Sequence, residues 1–321
     1  MLMNKGRFYA IIILFFILIS TVSCGLLETP NQSQTTLIVT DCQDQNAQNT
    51  NASVDSSENP ELPSKKTNTV VLSERQYNEI LSMNKDFPYI VSTTPLNEIK
   101  SLEVNTAVET RVHFVQGPFD LKHIFIFGKN SARDALAQNK DGALTVDPAI
   151  AGQISIVVPK NWTGSIKTHG SGSILLNGLF IQGNFESDAA GTLSIYNAHC
   201  NSFIAKNILI SSLRNISVSE DLTVQTHTNL LKVQDITAQN SVTLTNTGGS
   251  VDVKELESPH IAIFAKEAIN FQANKNQNAN IFSIIKGNPK NSTESRSSAT
   301  EPKILLNSEL GSVNVTYQNE N

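Results

Sequence analysis

Cysteine is scarce in this chain. Its 321 residues include only Cys24, Cys42 and Cys200. Three cysteines cannot staple a chain of this length as a disulfide scaffold, so its fold must rest on a hydrophobic core. If Cys24 is modified, the other two remain. The sequence leaves open whether they form a disulfide or whether Cys200 is simply a small buried side chain.

Charged and aromatic residues are also few, at 17% and 6% of the chain. Ser, Thr, Asn and Gln take their place, and this composition suits short strands with solvated polar faces better than charged amphipathic helices. The formal net charge is −5; without residues 1–23 it is near −7, with 22 basic against 29 acidic residues. A mildly acidic chain without a basic patch is a poor candidate for binding nucleic acid.

The sequence has one long apolar run, FYAIIILFFILI at residues 8–19, which follows a short basic segment. Small residues then lead to Cys24. This order of basic, apolar and small residues is typical of a secretory signal. Twelve residues are too few to span a bilayer core of about 30 Å comfortably. Residues 1–23 are therefore predicted to be a signal peptide that directs the chain to the cell envelope.

The residues around the predicted cleavage point, Thr21-Val22-Ser23-Cys24, resemble the lipobox of bacterial lipoproteins. The resemblance implies that Cys24 carries a diacylglycerol and an amide-linked acyl chain such as palmitate, which together anchor a protein stably. Thr21 stands where that family usually has Leu. Ordinary cleavage after Ser23 and an uncleaved anchor are the alternatives. Gly25, in place of Asp, implies an outer-membrane location, on the periplasmic or the surface face.

The segment after Cys24 has few apolar side chains that could form a core. Within residues 24–68 the apolar residues are sparse, and three of them stand together as Leu37-Ile38-Val39. Such a segment cannot offset the entropy lost on ordering, so it is predicted to be a disordered tether. A coil of some forty residues would hold the following domain about 35 Å from the lipid.

Residues 69–153 are predicted to hold a short helix and leading β-strands. Ser73-Glu74-Arg75-Gln76 has the pattern of a capping box and predicts a helix that ends near Met83. After it, β-prone runs alternate with turn residues such as Gly117-Pro118 and Lys140-Asp141-Gly142.

Residues 154–321 are built from short apolar-x-apolar units with a period near twenty. Residues 216–235 (ISVSEDLTVQTHTNLLKVQD) align without a gap on residues 236–255 (ITAQNSVTLTNTGGSVDVKE). Six apolar positions then coincide, among them Leu222 with Val242 and Leu231 with Val251. About three strands of three residues in each unit predict an all-β fold, a three-sided β-solenoid with Ile, Val and Leu inward and polar residues outward. A β-sandwich with accidental repetition is the alternative.

The repeat is interrupted near its end. Residues 274–302 are rich in Asn, Ser, Lys and Thr and are predicted to be a mobile loop with one apolar stretch at residues 281–285. Strands near Ile304 and Val313 then resume the pattern. Because the open end of a solenoid is a sheet edge that must be covered, we expect these strands, or the segment before Ile154, to cover it.

Several motifs follow one another in an order that resembles a known family. They are RVHFVQG at residues 111–117, GALTV at 142–146, ISIVVP at 154–159 and GSGSI at 170–174. Together they resemble the head GIN domain, an auto-transporter adhesin family, over roughly residues 95–271. The resemblance implies an adhesin-like β-solenoid at the bacterial surface and no particular ligand or catalytic residue. This chain has fewer Ser-Gly-Asp turns than that family after Gly191.

No residue pattern predicts catalysis, a cofactor or a metal. The six histidines are scattered, and His199 and Cys200, as neighbours on a strand, would point to opposite faces. Asp221, Asp235 and Asp252 do not recur at one offset, as a stacked cluster of carboxylates would.

The sequence therefore predicts a non-catalytic envelope lipoprotein that displays a β-solenoid for adhesion, scaffolding or assembly. Its expected partners are the membrane, through Cys24, and an unidentified protein or polysaccharide. The alternatives are a β-helix protein that binds or cleaves carbohydrate and a module that binds a small apolar ligand.

Overall fold

The computed structural model describes residues 34–40, 67–118, 120–160, 162–189, 191–273, 280–285 and 303–317. The expected signal peptide, Cys24 and Cys42 lie outside these residues. So do most of the expected tether and most of the expected loop at 274–302. No helix in the described ranges is long and apolar enough to cross a membrane.

Strands make up most of the described chain. A single α-helix, α1 (Glu74–Met83), and a short 3-10 helix (Leu96–Glu98) accompany them. The strands are β1 (Gln34–Thr40), β2 (Thr67–Ser73), β3 (Tyr89–Pro95), β4 (Ser101–Thr106), β5 (Arg111–Gly117), β6 (His123–Gly128), β7 (Ala135–Lys140), β8 (Ala143–Pro148), β9 (Gln153–Pro159), β10 (Ser165–Gly170), β11 (Ser173–Asn177), β12 (Phe185–Ala189), β13 (Leu193–Cys200), β14 (Phe203–Ile208), β15 (Ser212–Val218), β16 (Asp221–Thr226), β17 (Leu230–Ala238), β18 (Ser241–Asn246), β19 (Ser250–Glu257), β20 (His260–Ala265), β21 (Ile269–Ala273), β22 (Asn280–Ile285), β23 (Lys303–Ser308) and β24 (Val313–Tyr317).

Two long, mostly parallel sheets of eleven strands each contain nearly all of them. The first sheet has the order β22-β23-β20-β18-β16-β14-β12-β10-β4-β8-β7, and the second has the order β24-β21-β19-β17-β15-β13-β11-β5-β9-β6-β3. From β10 to β21 the chain alternates between the sheets, so that one strand of each makes one coil, whereas β22 and β23 both lie in the first sheet. The all-β prediction is confirmed.

The registers expected from the repeat are confirmed as well. Leu222 of β16 pairs with Val242 of β18, and Leu231 of β17 pairs with Val251 of β19. Hydrogen-bonded partners in parallel strands lie about 4.8 Å apart, so each coil sits directly on the preceding one.

The inward side chains form one continuous apolar core between the sheets. Along β16 and β18 every second residue is buried, and this alternation holds Leu222 and Val224 inside while Thr223 stays half-buried outside. The core runs from Leu102 in β4 to Leu306 in β23. Stacking thus lets strands of only five to nine residues bury a shared core, as in other repeat architectures.

The second sheet turns a corner in the middle of several of its strands. Four of its strands, β13, β15, β17 and β19, each contain one residue in the left-handed backbone region, at Asn197, Asn215, Asp235 and Glu255. The left-handed residues stand at equivalent positions in neighbouring strands, because the residues next to them pair. Ile216, which follows Asn215, pairs with Ile236, which follows Asp235. Left-handed backbone turns a strand sharply, so each long strand forms two short sides around a corner.

The strand order in space differs from the order in sequence at the N-terminal end. β4 pairs with both β8 and β10, and β5 pairs with both β9 and β11. The coil of β4 and β5 is therefore enclosed between later strands, and the first strand in sequence of the two sheets is β3, which begins at Tyr89. Antiparallel strands β6 and β7 follow on the outside, so the segment before Ile154 does cover this end.

A small outer layer covers the N-terminal part of the second sheet. Helix α1 begins at Ser73, whose hydroxyl accepts from the backbone N–H of Gln76, while Gln76 accepts from the backbone N–H of Ser73. The predicted capping box is thus confirmed. The layer has its own apolar core of eight buried residues: Val70, Leu72, Ile80, Phe87, Leu121, Phe125, Phe127 and Val157.

Two strands lie inside segments that were expected to be unstructured. β1, which includes Leu37-Ile38-Val39 of the expected tether, pairs antiparallel with β2. β22, inside the expected loop, pairs parallel with β23. Both contain β-branched residues, and a neighbouring strand satisfies their backbone groups.

Candidate functional site

The outward face of the first sheet carries a regular ladder of polar side chains on its central strands. Thr223 stands beside Thr243, and Gln225 stands beside Thr245, because β16 and β18 pair residue for residue. All four are half-buried or exposed. Hydroxyl and amide groups thus recur at the spacing of the strands, about 4.8 Å.

Neighbouring polar side chains also bond to one another across the coils. These contacts run from Thr192 Oγ1 to Ser173 Oγ (2.9 Å), from Asn215 Nδ2 to Asn197 Oδ1 (2.6 Å), from Ser241 Oγ to Asp221 Oδ1 (2.6 Å) and from Asn314 Nδ2 to Asn270 Oδ1 (2.9 Å). Each contact joins residues of consecutive coils and holds the outward side chains in fixed positions. At these four places the outer surface therefore presents polar groups that are held by a neighbour.

Buried polar side chains hold the corner where the chain leaves the first sheet. Asn246 is buried at the end of β18; its Oδ1 accepts from the backbone N–H of Thr228 and of Gly248, and its Nδ2 donates to the Ser250 carbonyl. Thr226 and Ser308 belong to the same column, which here means the residues that stand at matching positions of successive strands in one sheet. Their hydroxyls also bond to backbone atoms near the turns. These bonds satisfy turn groups that would otherwise be buried without partners.

The polar ladder gives way to an apolar patch on the last coils. The column of Thr223 and Thr243 continues with Ala262 and Leu305, and the column of Thr245 continues with Phe264 and Asn307. Ala262, Phe264 and Leu305 are half-buried. The outward face is therefore polar on β16 and β18 and partly apolar on β20 and β23, where residues 256–275 match the repeat only with gaps.

An open groove of about 240 Å³ lies beside this patch, and we call it the Phe264 groove. Its lining residues are Thr245, Asn246, Thr247, Phe264, Ala265, Lys266, Asn307 and Glu309. The side chains of Thr245, Lys266, Asn307 and Glu309 make no hydrogen bond or ion pair with any other described residue. The groove thus combines an aromatic ring with four polar groups that are free to bind a ligand.

The histidines are dispersed over the surface, as the sequence indicates. His199 faces outward and stacks on Phe180 with ring centres 6.5 Å apart, whereas its neighbour Cys200 is buried in the core. Burial lowers the pKa of His113, and the positive charges of Lys129 and Arg111 lower it further. The ring of His113 contacts Phe87 edge-on at 5.1 Å, so it helps to join the outer layer to the sheet.

The aspartates that the sequence offered as an alternative catalytic set lie apart. Asp221 begins β16 and accepts a hydrogen bond from the Ser241 hydroxyl, and Asp235 lies at the bend of β17. Asp252 stands beside Lys232 of the neighbouring strand, on the outer face of the second sheet. Among the described residues no group of three or more His, Cys, Asp or Glu side chains is placed to hold a metal ion.

Comparisons with known proteins identify no family. No family model matches the chain, and no match to a curated protein reaches significance, so the resemblance to the head GIN domain is not confirmed. One similar solved structure is that of a proposed cell adhesion protein from Clostridium sporogenes ATCC 15579. It has 10% identity and a TM-score of 0.22, and the match covers 71% of this chain and 98% of that one. A TM-score this low supports no further conclusion.

Proposed function

We propose that this chain is a non-catalytic bacterial envelope lipoprotein that displays a β-solenoid of about twenty residues per turn for adhesion, scaffolding or assembly. The observation that carries this proposal is the ladder of regularly spaced hydroxyl and amide groups on stacked parallel strands. A rigid, repetitive polar face binds a repetitive polymer or another protein surface. It lacks the paired acid and base, or activated nucleophile, that catalysis requires.

The anchor in this proposal is Cys24, and the location is the outer membrane. The signal sequence and the lipobox-like residues before Cys24 support it, and the resemblance to the head GIN domain supports a role at the cell surface. Acyl chains contribute about 0.8 kcal/mol for each buried methylene, so two or three chains anchor the protein stably. Its partners would then be the membrane lipid and a protein or polysaccharide of the envelope.

Metabolic labelling tests the anchor. Cells that express the wild-type chain or Cys24→Ala are grown with a palmitate analogue that can be coupled to a dye. The wild-type chain is expected to be labelled and to sediment with membranes, whereas Cys24→Ala is expected to do neither. Equal labelling of the two chains contradicts the lipoprotein proposal.

Binding to envelope fragments tests the display face. Thr223→Lys combined with Thr243→Lys places bulk and charge on the ladder while the inward residues stay unchanged. Binding is expected to fall relative to wild type. Lys232→Thr, on the outer face of the second sheet, is the matched control and is expected to bind as the wild type does. Equal binding of all three chains contradicts the assignment of this face.

A further inference from the structure

We infer that the Phe264 groove binds one pyranose ring of a neutral polysaccharide, with the aromatic ring of Phe264 as its stacking platform. This inference rests on the proposed display function, because the outer face of the first sheet must be accessible in the envelope for a polymer to reach the groove.

The chemistry of the groove matches the two sides of a sugar. One face of a pyranose ring consists of C–H groups and is apolar, whereas its edge carries hydroxyl groups. Phe264 is half-buried and offers an apolar surface on a strand that is paired on both sides, with β18 and β23. Thr245 and Asn307 flank it in the same column, with a hydroxyl and an amide that can both donate and accept.

The size of the groove favours a single ring. Pockets for drug-sized molecules usually measure about 300–1,000 Å³, and this groove measures about 240 Å³. It is open to solvent, so the neighbouring sugars of a polymer can extend past it. On one side they would continue over Gln225 and Thr223, whose polar groups stand on the preceding coil.

The charges that line the groove exclude other ligand classes. Lys266 and Glu309 contribute one positive and one negative charge, which leaves no net charge to attract a phosphate or a nucleic acid. Glycoside cleavage by the usual mechanisms requires a pair of carboxylates, and only Glu309 supplies one here. The groove is therefore suited to bind a neutral saccharide and not to cleave it.

A glycan array tests the inference. The full chain, in detergent, is applied to an array of neutral oligosaccharides of glucose, galactose, mannose and N-acetylglucosamine, and the affinity for the best ligand is measured by titration calorimetry. Phe264→Ala is expected to weaken binding at least tenfold, the usual effect of removing a central aromatic contact. Phe264→Trp is expected to retain binding, because it keeps an aromatic surface.

Two further variants separate binding from folding. Asn307→Ala removes polar groups without touching the core and is expected to weaken binding several-fold at an unchanged melting temperature. Phe180→Ala removes another exposed aromatic ring, outside the groove, and is expected to bind as the wild type does. The inference is overturned if the wild type binds no oligosaccharide on the array, or if Phe264→Ala binds as tightly as Phe180→Ala.

The labelling of Cys24 separates this inference from the proposed function. A chain that is labelled at Cys24 but binds no oligosaccharide keeps the anchor and loses the saccharide site. A chain that binds through Phe264 but is not labelled keeps the site and loses the anchor.

Discussion

Two neighbouring residues of β16 show how the sides of a strand differ. Val224 is fully buried among the stacked apolar residues, whereas Thr223 is half-buried on the outer face. Val224→Asp would place a charge in the core without a partner, and we expect it to lower the free energy of unfolding by more than about 4 kcal/mol. Thr223→Asp is expected to cost less than about 1 kcal/mol. Urea unfolding of the two variants measures the difference, and equal losses would contradict the inward and outward assignment.

The thiol of Cys200 is a second test at the residue scale. Burial raises its pKa to about 12, so almost none of it is thiolate at neutral pH. With Cys24 and Cys42 replaced by Ser, iodoacetamide is expected to label Cys200 only after denaturation. Mass spectrometry gives the labelled fraction, and rapid labelling of the folded chain would show that the core opens readily at this point.

The same burial bears on the disulfide that the sequence left open. A bond to Cys42 would have to form on a Cys200 sulfur that is buried in the core. We therefore expect the native chain, with all its cysteines, to retain a free Cys200 thiol. Non-reducing peptide mapping tests this expectation, and a peptide that links the two cysteines would contradict it.

At the scale of elements, one hydrogen bond joins helix α1 to the second sheet. Asn84 is buried just after the helix; its Nδ2 donates to the Ile80 carbonyl, and its Oδ1 accepts from the hydroxyl of Ser155 on β9. Asn84→Ala leaves the Ser155 hydroxyl buried without this partner and is expected to cost about 1–3 kcal/mol.

A double-mutant cycle measures this coupling. Combining Asn84→Ala with Ser155→Ala removes both partners, and we expect the pair to cost less than the sum of the single changes by about 0.5 kcal/mol or more. Thermal or urea unfolding supplies the four free energies. Strict additivity would mean that the bond does not couple the helix to the sheet.

Local patterns predicted the elements that depend on local chemistry. The capping box at Ser73 predicts α1 because its two hydrogen bonds form within four residues. The offset of twenty between Leu222 and Val242 predicts their pairing because the repeat is free of gaps there. Ile174 pairs with Leu193 at an offset of nineteen for the same reason.

Features that depend on distant parts of the chain could not be predicted in this way. The coil of β4 and β5 is enclosed by strands that follow it in sequence, and no local pattern encodes which strand pairs with which. β1 is stabilised by β2, although residues 41–66 separate them in the sequence. The repeat does not predict the position of Phe264, because residues 256–275 align with it only with gaps. In the structure, Phe264 stands between Thr245 and Asn307 and interrupts the polar ladder.

At the scale of the whole molecule, the two ends of the coiled stack differ. At the N-terminal end, the antiparallel strands β7 and β6 pair with β8 and β9, and β3 is the outermost strand of the second sheet. At the C-terminal end, the parallel strands β22 and β24 are the outermost strands of their sheets among the described residues. Val313 in β24 is only half-buried although it packs on the core. The last coil, formed by β23 and β24, therefore covers the core at this end.

Removing that coil tests its role as a cover. Deletion of residues 303–321 takes away β23 and β24, so the edges of β20 and β21 lose their hydrogen-bonded partners. Their inward residues Ile261, Ile263, Ile269 and Phe271, which are now buried, would lose the side chains stacked on them. Unpaired strand edges with apolar neighbours associate with other chains, and stacked repeats need their end units to stay soluble.

We expect the shortened chain to form larger species than the full chain in size-exclusion chromatography with light scattering, and to unfold at a lower urea concentration. Deletion of residues 318–321 alone is the matched control, because it leaves β24 complete, and it is expected to behave as the full chain does. If the 303–321 deletion keeps both the mass and the unfolding midpoint of the full chain, the last coil does not cover the core. In that case β20 and β21 would form a stable end of the stack by themselves, and another part of the chain would have to shield their edges.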